Sequence, residues 1–183
     1  MLVFIDTETG GINPQKHSLL SIGCAAWENK RGVIDTFEVL IKSEEYIVTT
    51  EARKINKFCE EEHNKKAKSP FDAIESLFAF CSKYSNGLAN LAGHNTQFDV
   101  AFIKKLLLDN HRSFNEHFSH RIVDTYSIIK YLVDANVVEK DLASSASVFK
   151  YFGISVSGRH TAMGDAVATA ELYGKMLSLI KKA

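Results

Sequence analysis

The stretch from Leu2 to Gly11, where a short apolar run leads into two acids, constrains the fold of this chain most. Four consecutive apolar residues, too few for a helix, predict a buried strand that paired glycines end. Side chains two apart in a strand point to the same side, so Asp6 and Glu8 would share one small volume. Two poorly solvated carboxylates repel each other, and a divalent cation removes that conflict. The alternative at this point is that both acids cap a turn at the strand end.

Composition limits the class of protein. The 45% hydrophobic content is ordinary for a globular protein with a sizeable core. The 22 basic and 22 acidic residues balance, so the chain lacks the net positive charge typical of proteins that bind duplexes. This balance does not exclude binding of nucleic acid, because bound cations would offset the negative charge of a carboxylate cluster. No apolar run approaches the ~20 residues of a membrane span, and the chain starts directly on a strand with no room for a signal peptide. We therefore expect a cytoplasmic protein with no membrane partner.

The cysteines offer no alternative chemistry. Their number is odd, and their spacing is not that of metal ligands or of a redox pair. We expect Cys24, Cys59 and Cys81 to be reduced thiols in the core.

Periodicity along the chain predicts alternating strands and helices. After the first strand, the predicted strands are 19–27, 32–42, 88–92 and 121–124, and the first three strands form antiparallel neighbours. The predicted helices are 49–62, 70 to about 86, 97–108, 125–135, 140–152 and 161–181. In the third strand Phe37 and Val39 share one face, and Glu38 falls on the other. With no repeat or linker, residues 1–183 are predicted to form one domain, a mixed sheet with helices on its faces.

Two further acids stand in the first turn of a predicted helix. An acid there is stabilised by the helix dipole, which is the simplest interpretation of Asp99 and of Asp165. The small residues around Asp165, among them Ala162 and Gly164, would let another element approach closely. Phe98, beside Asp99, indicates a helix start that packs against the core.

Three motifs together point to a family. Asp6-Thr7-Glu8-Thr9-Gly10, His94-Asn95 to Phe98-Asp99, and His160 to Asp165 resemble, in order and spacing, the motifs of the DEDDh (DnaQ-like) family of 3′–5′ exonucleases. Asp124-Thr125 also falls where that family commonly has an Asp-Thr pair. The resemblance covers nearly the whole chain. It implies an α/β fold of the ribonuclease H-like superfamily, with a five-stranded mixed β-sheet flanked by α-helices.

The resemblance also implies a metal site. Two ions per site, Mg²⁺ or Mn²⁺, would be held by Asp6, Glu8, Asp99 and Asp165, with Asp6 as the bridging ligand. The pair would bind one phosphate, one ion acidifying the attacking water and the other stabilising the leaving 3′ oxygen. His160 would be the general base, because the pKa of an imidazole, about 6.5, lies near working pH. The alternative for His160 is an ordinary surface-loop histidine.

Substrate contacts implied by the resemblance come from the same motifs. Ile12 matches an apolar position that wedges against the terminal bases, although it could equally be a loop residue that covers the core. Stacking of this kind tolerates any sequence. The threonines of the first motif would offer backbone N–H or hydroxyl groups to the 3′ end. The Asn and the Phe of the second motif would shape the floor of the site. The substrate-binding residues are then Thr7, Thr9, Ile12, Asn95, Phe98 and His160.

The predicted function is that of a metal-dependent 3′–5′ exonuclease acting on single-stranded 3′ ends of nucleic acid. It would hydrolyse phosphodiester bonds and release nucleoside 5′-monophosphates, with DNA slightly favoured. One alternative is an exoribonuclease for short RNA or RNA 3′ ends, which would have to recognise the 2′-OH. Another is a non-catalytic nucleic-acid-binding or scaffolding module. The chain ends directly after its last helix, so we expect a free-standing enzyme, while a homodimer or association with a polymerase stays open.

Overall fold

The protein is built on a single five-stranded sheet, seen in a computed structural model that describes residues 1–138, 142, 144–155 and 161–180. The strands are β1 (Leu2–Thr9), β2 (Leu19–Glu28), β3 (Gly32–Leu40), β4 (Leu91–Gly93) and β5 (Val123–Asp124). Their order is β3-β2-β1-β4-β5. The β1–β2 and β2–β3 pairs are antiparallel, whereas β4 runs parallel to β1 and to β5. The predicted five-stranded mixed sheet is therefore confirmed.

Helices follow most of the predicted segments. They are α1 (Thr50–Ile55), α2 (Glu60–Asn64), α3 (Pro70–Ser82), α4 (Gln97–Asp109), α5 (Thr125–Asp134), α6 (Ser145–Tyr151) and α7 (Ala162–Ile180). A short 3₁₀ turn covers Phe114–Glu116. Within the described residues, no helix combines the length and the apolar composition that a membrane crossing requires.

Cys24 and Cys81 are buried, but the prediction of a core position was wrong for Cys59, which is exposed.

Several predicted boundaries were wrong. The third strand ends at Leu40 rather than at residue 42, and the last two strands begin at Leu91 and Val123 rather than at residues 88 and 121. The helix predicted over 49–62 is two short helices, because Lys57 adopts a left-handed conformation (φ 50°) between them. The third helix ends at Ser82 rather than near residue 86. The helix predicted from residue 140 begins at Ser145, where the Ser144 side chain accepts a hydrogen bond from the Ser147 N–H and caps the first turn.

The two faces of the sheet are covered by different helices. Val3 and Ile5 of β1 belong to a core that includes Ile74 of α3 and Ile103 of α4. On the opposite face, Phe4 packs in a cluster with small residues of α7. Side chains alternate along a strand, so the even-numbered residues of β1 lie on the α7 face.

An aromatic cluster anchors α7 to that second face. The rings of Trp27 and Tyr173 meet edge-on with centroids 5.1 Å apart, and Phe4 lies 5.6 Å from Tyr173. Such edge-to-face pairs add about 1 kcal/mol to the free energy gained from burial. The middle of α7 is thereby fixed over β1 and β2.

Candidate active site

Three carboxylates meet where β1 faces the first turns of α7. Each of Asp6, Glu8 and Asp165 offers one oxygen, and these oxygens all lie within 4.8 Å of one another. All three side chains are half-buried. Oxygen ligands from several carboxylates suit hard dications such as Mg²⁺ and Mn²⁺. The donor set therefore fits the metal that the sequence predicts.

The fourth predicted acid, Asp99, lies on a different helix, α4. It is 4% exposed in the first turn of α4, and its Oδ1 accepts a hydrogen bond of 2.7 Å from the Thr7 hydroxyl. Thr7 stands between the two acids of β1, with its side chain on the other face of the strand. Among the described residues, the group of acids within 4.8 Å does not include Asp99. Asp99 is nevertheless close enough to repel the carboxylate of Asp6 and to raise its pKa.

Burial and mutual repulsion raise the pKa values of three carboxylates at the site, those of Asp6, Glu8 and Asp99. Burial raises the pKa of Asp6 well above its usual value, and repulsion from the other acids adds to the effect. Burial raises the pKa of Glu8 to about 7, with further contributions from Asp165 and Glu38. Burial likewise raises the pKa of Asp99 to about 7, although the hydrogen bond from Thr7 acts in the opposite direction. A bound dication would favour the ionised forms of the same groups.

Asp124 fixes the loop that precedes α4. Its Oδ1 accepts hydrogen bonds from the Asn95 N–H (3.0 Å) and the Tyr126 N–H (2.9 Å). Its Oδ2 accepts one from the Thr96 N–H at 3.1 Å. Asn95 has a left-handed backbone (φ 58°), which turns the chain from β4 into α4. The Asp124 side chain thus helps to set the start of α4 and the position of Asp99.

A pocket of about 410 Å³ adjoins the carboxylates. One wall is the end of β1 and the loop after it, including Glu8, and the other is α1 with the residue that follows it. The Asn56 side chain joins the two walls by donating a 2.9 Å hydrogen bond to the Thr9 carbonyl. Ile12 and Ile55 line this pocket although they are 84% and 57% exposed. The contribution of α1 was not predicted, because no local sequence signal connects it to β1.

The remaining predicted substrate residues have varied surroundings. The Thr9 hydroxyl donates to the Gly11 carbonyl at 2.8 Å, so it stabilises the turn after β1. Phe98 is half-buried and packs on Phe102 with ring centroids 5.1 Å apart, whereas Asn95 is exposed. The predicted contacts of these residues with substrate stay predictions. His160 lies outside the described residues.

Comparison with known proteins places the chain in a family. A sequence model of the family RNase_T, described as "Exonuclease", matches residues 3–173. The chain belongs to this exonuclease family. The resemblance to DnaQ-like exonucleases is thereby confirmed.

Relatives of this chain include a PolC-type DNA polymerase III and a subunit of DNA polymerase III. A PolC-type DNA polymerase III of Clostridium perfringens is 29% identical over 171 residues, which cover 93% of this chain and 11% of the polymerase. The DNA polymerase III subunit epsilon of Treponema pallidum is 28% identical over 173 residues, 94% of this chain and 74% of that subunit. The chain therefore corresponds to a small part of the PolC-type relative.

A solved structure supports the fold. The zinc-bound form of E. coli exonuclease I in complex with single-stranded DNA matches with a TM-score of 0.78 and 19% identity, over 99% of this chain and 42% of exonuclease I. Together with the sheet order, this likeness confirms the ribonuclease H-like fold of the chain.

Proposed function

We propose that this exonuclease removes nucleotides one at a time from single-stranded 3′ ends of DNA and releases nucleoside 5′-monophosphates. The observation that carries the proposal is the convergence of Asp6, Glu8 and Asp165 within 4.8 Å, beside a pocket of about 410 Å³. The relatives that are parts of DNA polymerase III and the neighbour solved with single-stranded DNA favour DNA as the substrate.

The acids would hold two Mg²⁺ or Mn²⁺ ions. Bound dications supply positive charge at the scissile phosphate and make the attacking water more acidic. Asp6, Glu8 and Asp165 provide the converging oxygens, and Thr7 keeps the Asp99 carboxylate oriented beside them. A neutral site would bind dications poorly, so these carboxylates must lose their protons as the metal enters.

His160 is the proposed general base. It stands five positions before Asp165 in the sequence, in the third of the motifs that resemble the family. An imidazole that accepts the proton of the attacking water would contribute about 10²–10⁴-fold to the rate. Replacement of His160 by alanine should therefore lower kcat by that factor and leave metal binding in place.

The pocket between β1 and α1 would receive the terminal nucleotide. Its two exposed isoleucines, Ile12 and Ile55, offer apolar surface to a base, and stacking on such surface does not depend on sequence. At 84% exposure Ile12 does not cover the core, so the simpler interpretation of this residue loses support.

The test is digestion of 5′-labelled DNA and RNA strands of one sequence and one length, with Mg²⁺, with Mn²⁺ and with chelator. We expect a ladder that shortens from the 3′ end, faster for DNA, and no digestion with chelator or in the Asp6→Asn variant. Asp134→Asn, which changes an acid in an exposed surface ion pair on α5, is the matched control and should keep full activity.

Other results would contradict the proposal in distinct ways. Faster digestion of RNA would favour the exoribonuclease. Tight binding of either strand without cleavage would favour the non-catalytic binding module. Full activity in Asp6→Asn would mean that the carboxylate cluster is not the active site.

A further inference from the structure

The backbone of α7 rests directly on the sheet at Gly23. This residue of β2 is the partner of Asp6 in the register of β1 and β2. A Cβ atom at Gly23 would lie 2.0 Å from the carbonyl carbon of Ala162 and 2.1 Å from the nitrogen of Met163, far closer than non-bonded atoms approach. A glycine inside a strand commonly marks such a close approach of another backbone. Only glycine therefore lets the first turn of α7 lie this near β2.

Glu38 holds the same turn from the next strand. It is the partner of Gly23 in the register of β2 and β3, so Asp6, Gly23 and Glu38 form a row across the sheet. The Glu38 Oε1 accepts a hydrogen bond of 3.3 Å from the Met163 N–H. The first N–H groups of a helix have no partner within the helix, and a carboxylate near them is favourable.

Asp165 belongs to this same first turn of α7. The Asp165 N–H donates to the Thr161 carbonyl at 3.0 Å, and the Gly164 N–H donates to the Thr161 hydroxyl at 3.1 Å. Any displacement of the turn from the sheet would therefore carry the Asp165 carboxylate with it.

We propose that Gly23 and Glu38 are positioning residues that seat the first turn of α7 on the sheet and so set where Asp165 meets Asp6 and Glu8. The proposal rests on the proposed metal site. Neither residue is a predicted metal ligand. The role assigned to both is exerted through Asp165, and the Glu38 carboxylate in addition repels that of Glu8. Groups that orient metal ligands typically change metal affinity by about 10–100-fold when they are replaced.

The test is calorimetric titration of Mn²⁺ into the metal-free protein, which needs no substrate. We expect Glu38→Ala and Gly23→Ala to bind Mn²⁺ about tenfold or more weakly than the unmodified protein. Glu38→Gln keeps a carbonyl acceptor for the Met163 N–H and should bind within about twofold of the unmodified protein. Gly174→Ala is the control on α7, because a Cβ there would make an ordinary contact of 3.7 Å with the Trp27 ring nitrogen.

The outcomes separate this inference from the proposed function. If the unmodified protein binds no Mn²⁺, or Asp6→Asn binds it equally well, the proposed metal site fails. If the site binds Mn²⁺ and both Glu38→Ala and Gly23→Ala retain full affinity, the seating of α7 is not what positions Asp165. Equal losses of Mn²⁺ affinity in Glu38→Gln and Glu38→Ala would mean that Glu38 acts by its charge. That result would overturn the role assigned to its hydrogen bond with the Met163 N–H. If circular dichroism shows that Gly23→Ala does not fold, the comparison of Glu38→Ala with Glu38→Gln alone tests the proposal.

Discussion

Raising the pH of the metal-free protein should destabilise it through the carboxylates of the candidate active site. Glu8 is the clearest case, because its pKa rises from 4.5 to about 7 in the folded protein. The folded state therefore holds this proton more tightly than the unfolded state. The stabilisation is fully present below a pH of about 4.5 and is lost as the pH rises through about 7.

The size of the effect follows from those two values. The difference between them corresponds to about 3 kcal/mol, of which about 2 kcal/mol is lost between about pH 5.5 and about pH 8. Asp99, whose pKa is also raised to about 7, acts in the same direction. These acids influence one another's titration, so the figure for Glu8 is taken for one proton and is not doubled.

The assay is urea unfolding followed by circular dichroism across that pH range, with chelator and with Mn²⁺. Saturating Mn²⁺ should raise stability most at high pH, because it binds the ionised carboxylates of the folded state alone. The pH dependence seen with chelator should then flatten or reverse.

A control is needed because His94 acts in the opposite sense. Burial lowers the pKa of His94, so its contribution to stability is lost as the pH falls through its titration and regained as the pH rises. Glu8→Gln keeps His94 but has no titrating group at position 8, so the difference between the two proteins removes the His94 contribution and reports Glu8 together with its repulsion of Asp6. Curves for the unmodified protein and for Glu8→Gln that run parallel over this range would refute the explanation from burial and repulsion.

Three further predictions concern the surroundings of the acids. Thr7→Val removes the hydrogen bond that lowers the pKa of Asp99, so Mn²⁺ affinity at about pH 6.5 should fall about tenfold by calorimetry, whereas Thr7→Ser should retain it. Asp124→Ala leaves three backbone N–H groups without their acceptor and should cost about 2–3 kcal/mol in urea unfolding, with Asp124→Asn intermediate. Ile12→Ala should raise the KM for single strands about fivefold with kcat unchanged, because roughly 1 kcal/mol of base stacking is lost. Leu108→Ala, which removes another exposed apolar side chain, on α4, should leave KM unchanged. A KM unaffected by Ile12→Ala would exclude a base contact.

Sequence predicted those parts of the fold that depend on near neighbours. The start of α3 is an example: Ser69 accepts a 3.1 Å hydrogen bond from the Asp72 N–H, and Pro70 takes the first helical position, where it loses no hydrogen bond. The placement of Asp6 and Glu8 on one face of β1 is another, because it follows from strand alternation alone.

Features that depend on distant contacts were not predicted. The turn at Lys57 brings Phe58 against His63, with ring centroids 5.2 Å apart, and this packing outweighs the helical pattern of the segment. Alternation placed Glu38 on the face opposite Phe37, but only the docking of α7 gives it a partner. The lone glycine at position 23 of an apolar strand was a signal of close approach, yet the sequence could not say which backbone approaches.

The protein has a single tryptophan, and it lies beneath α7, the helix that carries Asp165. Trp27 is 7% exposed, and its ring meets that of Tyr173 of α7 edge-on. Any movement of that helix away from the sheet would expose the indole to water and shift its fluorescence emission to the red. The chain thus carries a label-free optical reporter. A cation titration followed at this emission would distinguish an ion that enters a finished site from one that first draws the helix into place.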